Sequence, residues 1–167
     1  MARFRLGDVN TWINNIKSEV AAQAAEDIVR QLKIRGPYWT GEFEGAWDVV
    51  LGSGTIAANK QSSVDRDQAL REGPGPREVT PLRAGVDFPV PAKGAEAQYT
   101  IDNRMVYRDV AKDLVPGRIK NGNRETAQQD WYRTYVEGGG LATTLALSTG
   151  RVSRDPQIRN FKGRVSK

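Results

Sequence analysis

The sequence has no cysteine and no histidine. Without thiols there is no disulfide frame, no thiolate nucleophile and no cysteine-based metal cluster. Without imidazole a Ser-His-Asp or Cys-His relay is excluded, and acid–base work would fall to a carboxylate, lysine or tyrosine. Long apolar runs are also missing: nothing approaches the ~20 residues that span a bilayer. The basic opening MARFRLGDVN has no hydrophobic segment behind it, unlike a secretory signal. These absences point to a soluble, non-enzymatic chain with no cofactor, no metal, no small-molecule substrate and no membrane partner.

What is present begins with charge. The chain has 167 residues and a net charge of +5. Of its 25 basic and 20 acidic residues, six and one lie in 151–167, so the remainder carries 19 of each. The basicity belongs to a C-terminal tail rather than to a surface-wide field. Arg151, Arg154, Arg159, Lys162 and Arg164 are candidate contacts for DNA or for a protein partner. Phosphate binding through them would be salt-sensitive and blind to sequence. Phe161 is the only aromatic there, which leaves no stacking platform for single strands. Val152, Ile158, Phe161 and Val165 spaced among the charges suit an arm that docks on a neighbour, with Ile158 and Phe161 as its apolar contacts.

The length allows one modest core, and the pattern predicts a single α+β domain over 1–150 followed by the extended tail. Over 8–34, Ile13, Ile16, Val20, Ala24, Ile28 and Leu32 recur at steps of three and four, the period of one helix face. Asn14, Lys17, Glu19, Gln23, Asp27 and Arg30 fall opposite. Asp8 or Asn10 suits the helix start, and Gly36-Pro37 its end. Thr40 suits the cap of a short turn through Ala46, and Trp47–Leu51 reads as a strand ended by Gly52. Residues 53–97 are rich in Gly and Pro and predict a long loop reaching away from the sheet, with one broken strand in TPLRAGVDFPVP. AQYTIDNRMVYR regains period two. Two short helices follow, one within 125–137 and one ending at Gly150, separated by Gly138-Gly139-Gly140. The expected fold is thus a long N-terminal helix packed on a small antiparallel sheet, with one or two further short helices.

Candidate chemistry is sparse. GSG at 52–54 lacks the pattern of a phosphate loop, and Glu42, Glu44 and Asp48 do not share one face. The notable feature is PYWTGEFEGAWDVVLG at 37–52. Phe43 and Trp47, four apart, suit a core; Tyr38 and Trp39, in a proline-anchored loop, suit a subunit contact.

Pro37, Thr40-Gly41, Phe43, Ala46 and Trp47, together with Asn103 and Tyr107 in the returning segment, resemble the neck and tail-completion proteins of tailed bacteriophages. DVAKDL stands where that family has an acidic-aromatic-glycine stretch. The resemblance implies a virion structural protein, assembled in the host bacterial cytoplasm, that forms a sixfold or twelvefold homo-oligomeric ring at the head–tail junction. Its partners would be connector (portal-side) and tail-side phage proteins, with genomic DNA passing through the channel. Tyr38, Trp39, Tyr107, Ile158 and Phe161 are then the expected interface residues. A small nucleic-acid-binding protein acting through 151–167 is the alternative.

Overall fold

The computed structural model describes residues 6–38, 40–74, 77, 79–92, 95, 97–113 and 130–154. Helix α1 spans Leu6–Arg35 and is followed by a 3-10 turn over Glu44–Ala46 and strand β1 at Trp47–Leu51. Helix α2 (Arg66–Glu72), strand β2 (Tyr99–Asn103) and helices α3 (Arg108–Asp113), α4 (Trp131–Glu137) and α5 (Gly140–Val152) complete the order. The fold is α+β, a long N-terminal helix on a two-stranded antiparallel sheet with further short helices.

Helix α1 forms where its period places it, but Asp8 and Asn10 lie inside it rather than at its start. Its buried stripe is also turned relative to expectation. Ser18, Ala22, Ala25, Val29, Leu32 and Lys33 are buried along one side, whereas Ile13 is exposed and Ile16, Val20 and Ile28 are half-buried. Asp27, expected on the polar face, is buried. Tertiary partners override the apolar period. Ser18 Oγ donates to Ala95 O at 2.8 Å, Lys33 Nζ to Thr80 O at 2.7 Å, and Glu26 Oε1 accepts Ala84 N at 2.6 Å. Each of these draws a polar position of α1 under the segment that returns over it.

That segment is the 53–97 loop, expected to reach away from the body. Its described residues Arg77, Thr80, Ala84 and Ala95 meet α1 instead, and Phe88 meets β2. Phe88 is buried, with its ring edge-on to Tyr99 at 5.6 Å. Lys60 makes a bridge to Met105, and Ala84 bridges Phe88 around a tight turn where a broken strand was expected. The loop also contains α2, capped by Asp65, whose carboxylate accepts Asp67 N and Gln68 N.

The C-terminus of α1 is closed by a side chain from this loop. Arg77 Nη2 donates to Lys33 O at 2.7 Å and Gly36 O at 2.6 Å, supplying the final carbonyls with donors they lack within the helix. Gly36 permits a close crossing: a Cβ there would sit 2.8 Å from Leu32 O and 3.2 Å from the Trp131 ring.

Strands β1 and β2 pair with Trp47 opposite Asn103, Val49 opposite Ile101 and Leu51 opposite Tyr99. Arg104 N→Ala46 O and Gly52 N→Gln98 O, two flanking bonds, fix the alternation, so Val49 and Asn103 point their N–H groups outward. Both donors are already taken by the preceding aspartates: Asp48 Oδ1 accepts Val49 N at 2.9 Å and Asp102 Oδ1 accepts Asn103 N at 2.8 Å. Charged residues that occupy edge donors discourage further strand addition. Asp102 is in turn held by Arg108 at 2.9 Å and Lys112 at 2.6 Å, tying α3 to β2.

The core gathers Val29, Leu32, Phe43, Trp47, Val49, Phe88, Met105, Trp131 and Tyr135. The triple glycine separates α4 from α5 as expected, with Gly139 at φ +88° in a conformation that favours glycine. Of the stretch expected to be helical over 125–137, residues 131–137 are helical and 125–129 lie outside the described residues.

Lys33 and Glu44 are both buried, with Nζ 4.0 Å from Oε1. Burial lowers the Lys33 pKa, while Glu44 and Asp87 oppose that shift. Removing one partner leaves the other charge stranded, so Lys33→Ala is expected to cost ~3–5 kcal/mol in denaturant unfolding. Lys33→Met with Glu44→Gln should cost clearly less than the single change. An equal cost in both variants contradicts the pairing.

Candidate functional site

The aromatic turn is built by the chain reversal after α1. Glu42 N donates to Thr40 Oγ1 at 3.4 Å and Gly45 N to Gly41 O at 2.8 Å, which curls the chain so that Phe43 and Trp47 turn inward. Their rings meet edge-on at 5.7 Å, and Trp131 meets Phe43 edge-on at 6.3 Å. Phe43 and Trp47 are buried, as their spacing suggests.

Of the expected interface residues, Tyr38 and Tyr107 are among the described ones, and each rests on a different partner. Tyr107 stacks on Phe43 at 6.2 Å and stays 36% exposed, so it forms the outer layer of the aromatic cluster. Its hydroxyl pKa is pushed up to about 12 by burial and by the Glu42 charge, which keeps the phenol neutral. Tyr38 is half-buried and lies beneath the Arg77 guanidinium, 5.5 Å from the ring centre. Trp39, Ile158, Phe161, Arg159, Lys162 and Arg164 lie outside the described residues.

Arg151, expected in the extended tail, lies instead in α5, which continues through Gly150 to Val152. Arg151 Nη1 donates to Asp27 Oδ1 at 2.9 Å, and Ser148 Oγ donates to Asp27 Oδ2 at 2.7 Å. This contact to α1 offsets the ~1 kcal/mol that a glycine costs inside a helix. Arg154 follows in a turn and is exposed.

The three carboxylates near the aromatic turn have separate partners. Glu44 faces Lys33, and Asp48 serves Val49 N with Arg104 at 3.9 Å. Glu42 accepts Ser62 Oγ at 2.5 Å, Ser63 N at 2.8 Å and Ser63 Oγ at 2.7 Å. No group of three potential metal ligands occurs among the described residues. No described helix is long and apolar enough to cross a membrane.

Sequence reasoning missed the apolar surfaces. Val106, in the turn before α3, and Val110, on α3, are exposed, as are Val86 and Val90 around the tight turn after Ala84. On α5 the burial is inverted: Thr144 and Ser148 are buried while Leu145 and Leu147 are exposed. The leucines of TTLALSTG carry a signal of this kind only when Asp27 is known to sit beneath the hydroxyls.

No family model, curated protein or solved structure matches the chain.

Burial pushes the Glu42 carboxyl up, but the Ser62 and Ser63 hydrogen bonds and Lys60 outweigh it and hold the pKa below 4.5. A depressed folded-state pKa gives stability that is present above the unfolded value and lost as pH falls through the folded one. Glu42→Gln should therefore lower the melting temperature at pH 7 and narrow the gap to wild type below pH 4.5. A gap that stays constant with pH would remove the carboxylate from the account.

Proposed function

We propose that this chain is a structural subunit of the head–tail junction of a tailed bacteriophage, forming a closed homo-oligomeric ring between connector and tail. The observation that carries the reading is one buried hydrogen bond. Asn103 Nδ2 donates to Phe43 O at 2.7 Å, and Asn103 is fully buried. It joins the two segments whose residues resemble the neck family, 37–47 and 103–107, which lie far apart in sequence. Tyr107 stacking on Phe43 adds to the same junction.

A ring needs two unlike surfaces that fit each other on neighbouring copies. Exposed apolar groups on α3 at Val110 and around the turn at Val86 and Val90 supply candidate surfaces on separate elements. With the outward N–H groups of Val49 and Asn103 already bonded, such contacts would run through side chains rather than by extending the sheet. Nucleic-acid binding through the C-terminal segment is less favoured, since Arg151 is bound to Asp27.

Electron microscopy of the purified full chain, with mass from light scattering, tests the reading. Closed rings of six or twelve copies are expected, and Val110→Asp should reduce them to smaller species without changing the melting temperature. A chain that stays monomeric and binds DNA in a salt-dependent way through 155–167 would overturn it.

A further inference from the structure

We propose that the outer face of α5 pairs with the same face of a second copy, antiparallel and centred on Ala146. From Gly140 to Gly150 the sequence carries no charged residue. Ala142, Thr143, Leu145, Ala146, Leu147 and Thr149 are nevertheless exposed, and Leu147 is 59% exposed. Thr144 and Ser148 face the body instead, with Ser148 held to Asp27 and Thr144 Oγ1 accepting the Tyr135 hydroxyl at 3.1 Å. The polar seam fixes which side of the helix is turned out. At 3.6 residues per turn, Leu145 and Leu147 fall on opposite rims of a face whose middle is Ala146, flanked by Ala142 and Gly150.

Charge selects the occupant. The other described helices expose charge: Lys17, Glu19 and Arg30 on α1, Asp67, Arg71 and Glu72 on α2, Asp109 on α3, Arg133 and Glu137 on α4. Burying any of these against the α5 face would strip a charge of water without a partner. The one charge-free helical face among the described residues that can meet it is its own. A chain of net charge +5 also meets a copy of itself with least repulsion there.

The order of residues gives a second, independent reason. Ala-Thr-Thr-Leu-Ala-Leu-Ser-Thr-Gly, 142–150, reads nearly the same in side-chain class from either end. Two antiparallel copies centred on Ala146 therefore match level by level. Ala142 lies level with Gly150 of the second copy, Thr143 with Thr149, and Leu145 with Leu147. Small residues line the crossing, where helices approach closely, and a leucine closes each rim. The 13 residues of α5 give a strip ~20 Å long and ~10 Å wide, about a quarter of the ~800 Å² per partner of a standard interface. The pair is therefore reversible and concentration-dependent. It goes beyond the ring reading, which needs unlike surfaces in contact.

The absence of cysteine makes the test direct, because an introduced thiol is the only one in the chain. Sedimentation velocity of the full chain should show mass rising with concentration, and Ala146→Glu should abolish that rise while leaving the melting temperature unchanged. Under mild oxidation Ala146→Cys should give a covalent dimer as its main product, and Lys17→Cys, on the exposed side of α1, should not. A wild-type chain monomeric at the highest concentration overturns the pairing. So does Ala146→Cys coupling no better than Lys17→Cys, which would leave the face to an unlike partner. A rise in mass with concentration that persists in Ala146→Glu beyond any closed ring refutes the pairing and keeps the ring reading. Pairs lost in Ala146→Glu, with no ring in wild type, refute the ring and keep the pairing.

Discussion

The buried side chain of Asn103 needs a donor and an acceptor at once, and the fold supplies one of each. Its Nδ2 donates to Phe43 O at 2.7 Å, and its Oδ1 accepts Met105 N at 3.0 Å. The carbonyl of the same residue accepts Arg108 Nη1 at 3.0 Å, so the aromatic turn, the end of β2 and α3 meet at one residue. Phe43 and Met105 are core residues whose backbone groups sit away from water. A two-stranded sheet is marginal by itself, and here its β2 end is secured by these polar contacts as well as by packing.

The same economy runs through the rest of the body. Besides the apolar contacts of Ala25, Val29 and Leu32, helix α1 meets its neighbours through Ser18, Asp27 and Lys33, each hydrogen-bonded or ion-paired to a distant segment. Polar seams of this kind fix orientation, because a shifted register leaves a buried group unpaired. They also bury little apolar area, and several valines and leucines remain outside. Specific internal seams with apolar patches left on separate elements are compatible with the proposed assembly, in which neighbouring copies would cover those patches.

Much of this architecture was legible in the sequence. The spacing of Ile13 to Leu32 marks α1 as a helix, and Trp47–Leu51 and Tyr99–Ile101 mark the strands, because each period reports the repeat of the backbone. The orientation of α1 was not legible, since Ser18, Asp27 and Lys33 each bond a partner 47 or more positions away. Helix α2 was hidden in a Gly- and Pro-rich stretch, though Asp65 before it and Gly73 after it are ordinary helix punctuation. Gly150 was read as a stop because a glycine usually ends a helix, whereas Arg151 finds Asp27 and carries α5 onward. The junction role of Asn103 was not legible, because hydrogen bonding to a residue 60 positions away leaves no local pattern.

Denaturant unfolding of Asn103→Ala and Asn103→Asp tests this dependence most directly. The alanine variant leaves Met105 N without its partner and Phe43 O with only the longer bond from Ala46 N at 3.3 Å, and the account predicts a loss of roughly 2 kcal/mol. The aspartate variant keeps the acceptor for Met105 N but loses the donor and buries a charge, so it should be at least as damaging at neutral pH. Stabilities within ~0.5 kcal/mol of wild type, the range of ordinary surface substitutions, would contradict the claim that the fold turns on this side chain.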